Sequence, residues 1–230
     1  MENQVPRTNA NVNCIGSSSF GMVKATIPPG GILAVEPGAM ASQDVEIECQ
    51  TEMNGDFLSA LIARFLGGET FFINTYRNRS SSEKTIYFSQ PTPGQIVERH
   101  LQNETIFLEP GSFIARSPSI RSEVKWAGFA SFLAGEGLFR LCFTGTGPLW
   151  YGAYGAVIEK EIVGDYLVDS GHLLAYPPSV HLSVKLAGGL FSSFLSKEGI
   201  VLKLSGSGKI QLQTRSVKGL AQWLNPRFWG

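Results

Sequence analysis

Val124-Lys125-Trp126-Ala127-Gly128, followed at once by Phe129-Ala130-Ser131-Phe132-Leu133-Ala134-Gly135-Glu136-Gly137, is written again further on as Val184-Lys185-Leu186-Ala187-Gly188 and Phe194-Leu195-Ser196-Lys197-Glu198-Gly199. A third version of the second half, Phe65-Leu66-Gly67-Gly68-Glu69, stands earlier in the chain. Moving outward, each version is preceded by an acidic turn: Glu36-Pro37-Gly38, Glu109-Pro110-Gly111 and, more weakly, Asp169-Ser170-Gly171. Turn glycines 38, 111 and 171 are offset by 73 and 60 residues, and glutamates 69, 136 and 198 by 67 and 62, so three copies stay in register apart from one insertion and small slips. A copy of roughly 60 to 70 residues is too small to bury a sufficient core alone, so the three are expected to share one.

Within each copy the writing is that of strands. Val45-Glu46-Ile47-Glu48-Cys49, Ile120-Arg121-Ser122-Glu123-Val124-Lys125-Trp126 and Val180-His181-Leu182-Ser183-Val184-Lys185-Leu186 alternate with period two and are bounded by Pro and Gly, which is the pattern of half-buried strands. Pro28-Pro29-Gly30-Gly31 reads as a turn, and the serine-rich stretch 77–84 as a hairpin loop. Thr144-Gly145-Thr146-Gly147 and Ser205-Gly206-Ser207-Gly208 read as matching turns that end the return strands. After each alternating strand the chain makes an apolar excursion. In the first copy Phe57, Leu58, Leu61, Ile62 and Phe65 fall at helical spacing and predict a short helix over Asp56–Phe65. The tail, residues 217–230, is expected to begin as a helix and stop near Asn225-Pro226.

The boundaries that follow are a frayed stretch 1–11, copies at 12–92, 93–152 and 153–216, and the tail, all in one compact domain. Composition agrees with a turn-rich β protein: 43% of residues are apolar, 17% charged, and 26 are glycine. Net charge is zero, so no field steers nucleic acid or an anionic surface toward the protein. Cys14, Cys49 and Cys142 are odd in number and widely spaced, which fits free thiols in a reducing compartment. Without a leader-like apolar run or a transit peptide, the expected compartment is the cytosol, or the mitochondrion for a eukaryotic chain.

No constellation for catalysis is found. His100, His172 and His181 do not form the His-x-His pair of β-barrel metal sites, and Cys-x-x-Cys and His-Glu-x-x-His are absent. Gly206-Ser207-Gly208 lacks the five-residue spacing of a nucleophile elbow, and Gly145-Thr146-Gly147-Pro148 lacks the Lys-Ser/Thr pair of a phosphate loop. The reading is therefore a protein that is not an enzyme and carries neither cofactor nor metal.

Two sets of residues are candidates for binding. Glu69, Glu136 and Glu198 recur in register. Around an approximate threefold axis they would form an acidic ring for a cation; alternatively each caps the backbone N–H groups of its own Gly-rich bend. The apolar excursions, with Phe65, Phe132 and Phe194 at matching places, either gather into a patch for a protein, a further subunit or a membrane surface, or fill the shared core.

Taken in order, the Glu-Pro-Gly turns, Lys125 to Phe139, the Thr-Gly-Thr-Gly stretch, Ser170-Gly171-His172-Leu173 and Gln213-Thr214-Arg215-Ser216 resemble the altered-inheritance-of-mitochondria family over nearly the whole chain. The resemblance implies an all-β structure of three tandem β-sandwich repeats of double-stranded β-helix type in pseudo-threefold arrangement. Each repeat would be similar in fold to a subunit of the tryptophan RNA-binding attenuation protein. It implies no catalytic residues, and its mitochondrial members are associated with inner-membrane organisation. RNA binding is not carried over, because Lys125 and Lys185 have Glu52 as their counterpart in the first copy. The function expected is that of a non-enzymatic scaffold docking to a protein or membrane surface, self-association being allowed. The alternative is a small-ligand or cation-binding protein, or an undescribed enzyme, with its site near the repeated glutamates.

Overall fold

The computed structural model describes residues 10–53, 72–126, 139–185 and 201–228. They form fifteen strands and one α-helix. From the first copy come β1 (Asn11–Ser17), β2 (Phe20–Ile27), β3 (Ile32–Val35), β4 (Met40–Gln43), β5 (Ile47–Met53), β6 (Phe72–Asn78) and β7 (Lys84–Phe88). From the second come β8 (Ile96–Leu108), β9 (Phe113–Arg116), β10 (Ile120–Trp126) and β11 (Phe139–Gly152). The third supplies β12 (Val157–Asp169), a 3-10 turn Ser170–His172, β13 (Leu173–Tyr176), β14 (Val180–Lys185) and β15 (Val201–Gln213), and α1 (Val217–Phe228) closes the chain. The fold is all-β in two antiparallel sheets. One runs β1-β2-β7-β4, the other β12-β15-β13-β8-β11-β9-β3-β6-β5, with β10 on β11 and β14 on β15.

One pairing scheme governs the return strands. β11 has β8 along one side, and along the other β10 beside its first half and β9 beside its second. β15 is flanked in the same way by β12, by β14 and by β13. In the first copy the return strand is cut into β6 and β7, which take β3 and β2 on one side and β5 and β4 on the other. Two joints between copies match as well. β3 meets β9 through Ala34↔Arg116 and Val35↔Ala115, and β8 meets β13 through Phe107↔Tyr176 and Leu108↔Ala175. At each joint the residue after the pair donates its N–H across the copies, Glu36 to Ile114 O at 2.9 Å and Glu109 to Leu174 O at 2.9 Å.

The core is shared in consequence. One apolar cluster joins Val23, Ile27, Leu33, Ile86 and Phe88 of the first copy to Ile114 and Trp150 of the second, packing the smaller sheet over the larger. A second is built on Ile106, Leu108, Phe113, Phe143 and Tyr151, and takes in Ala34 and Ile73 from one neighbour and Leu174 and Ala175 from the other. The third gathers Ile162, Leu173, Val180, Leu204 and Ile210, with Phe107 packed against it. Burial of this apolar area across the joints is what makes copies of this size stable.

Two local expectations are corrected. Thr144-Gly145-Thr146-Gly147 and Ser205-Gly206-Ser207-Gly208 are not turns; β11 and β15 continue through them unbroken. Their glycines are there because a neighbouring turn presses on the strand: a Cβ on Gly145 would lie 2.5 Å from Ser119 O, and one on Gly206 2.1 Å from Ser179 O. Both glycines adopt positive φ, 146° and 128°, so a side chain is excluded by space and by backbone conformation alike. β8 and β12 each run unbroken over 13 residues. Finally, α1 passes through Asn225-Pro226 to Phe228. The helix leans on the Ser170–His172 turn rather than lying along a strand, and leaves Trp223 56% exposed. The helix expected over Asp56–Phe65 lies outside the described residues.

Candidate functional site

Phe65, Glu69, Phe132, Glu136, Phe194 and Glu198 all lie outside the described residues, in segments 54–71, 127–138 and 186–200. What is described is how the frame holds those segments. Each is bracketed by an antiparallel pair that ends a two-strand ladder: Met53↔Phe72 for β5 and β6, Trp126↔Phe139 for β10 and β11, Lys185↔Val201 for β14 and β15. Opposed residues of such a pair sit about 5 Å apart, so both ends of each segment leave the sheet side by side.

Near the middle base, Lys125 Nζ lies 2.6 Å from Glu123 Oε2, two residues along the same face of β10. The hydrogen bond to Lys125 holds the Glu123 carboxyl below its usual range, and Glu123 in turn raises the Lys125 ammonium. The charge of Lys125 is thus met locally. Opposite Glu123, the Cys142 thiol is buried and pushed up, desolvation being the main cause, which keeps it protonated and unreactive.

The joints carry the most organised polar chemistry. Arg140 on β11 is 3% exposed and its Nη1 stands 3.6 Å from Glu109 Oε2, in the turn between β8 and β9. Tyr176 of β13 closes the group. Its hydroxyl is pushed up to about 12, first by burial, with the Arg140 charge acting downward and the Glu109 charge upward. Its ring stacks on Phe107 at 5.1 Å between centroids. Burial keeps the Tyr176 phenol protonated near neutrality, and its side chain ties β13 to Arg140 on β11 and Phe107 on β8. At the joint of the first and second copies, Arg116 donates from Nε to Ser122 Oγ at 3.0 Å and from Nη1 to Ile120 O. Gln43 does the equivalent in β4, from Nε2 to Ile47 O at 2.8 Å.

The sequence reading named Glu109 only as a turn residue and passed over Arg140. The signal was available: Arg140 occupies the strand position that holds Ile73 in the first copy and Val201 in the third. It is the odd residue of three.

Comparison with known proteins places these features. An uncharacterised protein of Streptococcus pyogenes serotype M6 is 25% identical over 214 residues, covering 89% of this chain and 86% of that protein. An X-ray crystal structure of a Streptococcus pyogenes protein superposes with a TM-score of 0.78 at 23% identity, over 95% of this chain and 100% of that one, which shows a common fold. The sequence model described as mitochondrial biogenesis AIM24 matches residues 12–215, from within β1 to just beyond β15. The chain belongs to the AIM24 family.

Proposed function

We propose that this protein is a non-enzymatic scaffold that uses its β frame to present apolar segments 54–71, 127–138 and 186–200 to a membrane or protein surface. One observation carries the reading. All three segments are mounted in the same way, each between the two residues that end a ladder, Met53 and Phe72, Trp126 and Phe139, Lys185 and Val201. Their sequences are apolar, with Phe65, Phe132 and Phe194 at matching places. The repeated pairing scheme supports a further part of the reading: three tandem units joined in series by the same kind of strand joint, each related to the fold of the tryptophan RNA-binding attenuation protein. Among the described residues no helix is long and apolar enough to cross a membrane.

Flotation with phosphatidylcholine vesicles tests the proposal. Wild-type protein is expected to float, and Phe132→Asp and Phe194→Asp to remain in solution with unchanged unfolding midpoints. Flotation that survives both substitutions removes the apolar segments from the mechanism.

A further inference from the structure

Each joint between copies consists of a short strand following a turn, laid against the last residues of the long strand in the next copy. β9 lies on β3, and β13 on β8. The scheme has two loose ends. β4 is the counterpart of β9 and β13, each beginning two residues after its turn glycine (Gly38, Gly111, Gly171), yet among the described residues β4 pairs with β7 alone. The end of β12, Leu167-Val168, is the counterpart of Phe107-Leu108 and Ala34-Val35, yet among the described residues β12 pairs with β15 alone.

Exposure follows the pairing. Met40 is 42% exposed where Phe113 and Leu173 are 2% and 1%, and Leu167 is 54% exposed where Ala34 is 5%. Ala41 and Ser42 are exposed where Ile114, Ala115, Leu174 and Ala175 are buried. An unpaired edge that accepts a strand twice elsewhere in the same molecule is a template for a third.

We infer that β4 of one molecule docks on the Leu167-Val168 end of β12 in a second copy of this chain, repeating the joint that β9 makes with β3 and β13 with β8. The occupant is specified by the joints already built. Small residues face branched ones in both, Ala115 against Val35 and Ala175 against Leu108, and Ser42 against Val168 keeps that size pairing. Gln43 against Leu167 takes the place of Arg116 against Ala34 and Tyr176 against Phe107. The Asp169 N–H is placed to meet Ala41 O as Glu36 meets Ile114 and Glu109 meets Leu174. The two edges differ, so the contact is head-to-tail and leaves one edge of each kind free, which adds further copies in series. A series of scaffolds multiplies the docking segments on one particle and raises avidity without any new contact.

Sedimentation velocity over a concentration series is the test. The wild-type chain should form a growing series of species. Leu167→Lys and Ser42→Lys, both at exposed positions, should each stay monomeric, while an equimolar mixture of the two should dimerise and stop, since it retains one good edge of each kind. A wild-type chain monomeric at every concentration, or a mixture that stays monomeric, overturns the proposal. So does a Leu167→Cys, Gln43→Cys double variant, made with Cys14→Ser and Cys49→Ser, if air oxidation links its two cysteines within one chain; disulfide-linked dimers and longer ladders support it.

Discussion

The first copy and the other two solve one problem in opposite ways. In the second, β8 and β11 cross the molecule unbroken, bending where Asn103 takes φ 55° and the register shifts between Gly145 and Thr146. The third bends β12 at Gly164, φ 85°, opposite Gly206, without losing register. In the first copy both strands are cut at one level, one by Pro28-Pro29-Gly30-Gly31 and its partner by residues 79–83, so that Ile32↔Arg77 on one side of the gap gives way to Ile27↔Lys84 on the other. Pairing is kept on both sides, and the smaller sheet separates from the larger. What the fold demands is therefore the register at the two ends of the ladder. Continuity of the strand between them is optional.

A property held in common by all three copies gives the largest expected effect. Tyr76, Tyr151 and Tyr176, one from each copy, are pushed up to about 12, burial being the first cause in each. An unfolded tyrosine titrates near 10. Between the two values the folded chain keeps protons that the unfolded chain releases, so stability is whole below about pH 10 and falls as pH rises through about 12. Each tyrosine accounts for roughly 2–3 kcal/mol once the pH exceeds both values. Guanidinium unfolding at pH 9 and pH 11 should show a clear fall, and Tyr76→Phe should remove one share of it while leaving the others. A flat profile would mean that none of the three phenols is held up by burial.

Asn78 tests the device peculiar to the first copy. Fully buried, it donates from Nδ2 to Ile27 O at 2.8 Å and Ser82 O at 2.7 Å, and its Oδ1 accepts from Ser80 N at 2.9 Å and Ser80 Oγ at 2.8 Å. One side chain thus stitches both cuts together. Asn78→Ala leaves those buried groups without it and should cost about 3 kcal/mol in urea unfolding. A cost below about 0.5 kcal/mol, the level of a surface substitution, would show that the cut ladder holds its register without a stitch.

Much of this was legible in the sequence. The period-two runs at Ile120 and Val180 gave β10 and β14, because one face of each is buried and alternation records burial directly, whereas the run at Ile47 gave β5 although Val45 and Cys49 are exposed and Ile47 alone of the three is buried. The turns before β4, β9 and β13 were legible from Glu-Pro-Gly and its relative. The glycine pairs in β11 and β15 were misread, since a glycine that admits a neighbouring turn and one that makes a turn are the same letter. Arg140 was missed for a related reason: its burial depends on Glu109 and Tyr176, which come from distant parts of the chain. The binding residues named from the repeats fall in segments 54–71, 127–138 and 186–200, outside the described residues, so the sequence alone carries them.

Arg140 offers the smallest effect and the sharpest comparison, because a single change makes the second copy resemble its neighbours. Arg140→Leu installs an aliphatic side chain of the kind found at Ile73 and Val201. Removing one member of a buried pair is costly when the other charge is left in a dry site, but the Glu109 side chain is 26% exposed and recovers part of its hydration. A loss of about 1 kcal/mol is expected, and adding Glu109→Gln should recover most of it. Packing and charge are separated by a second readout. The Arg140 charge holds the Tyr176 phenol down against burial, so the single variant should titrate that tyrosine at higher pH than the wild type, measured by phenolate absorbance. If Tyr176 titrates unchanged while stability falls, Arg140 acts through the volume it fills, and the second copy differs from the others in shape alone.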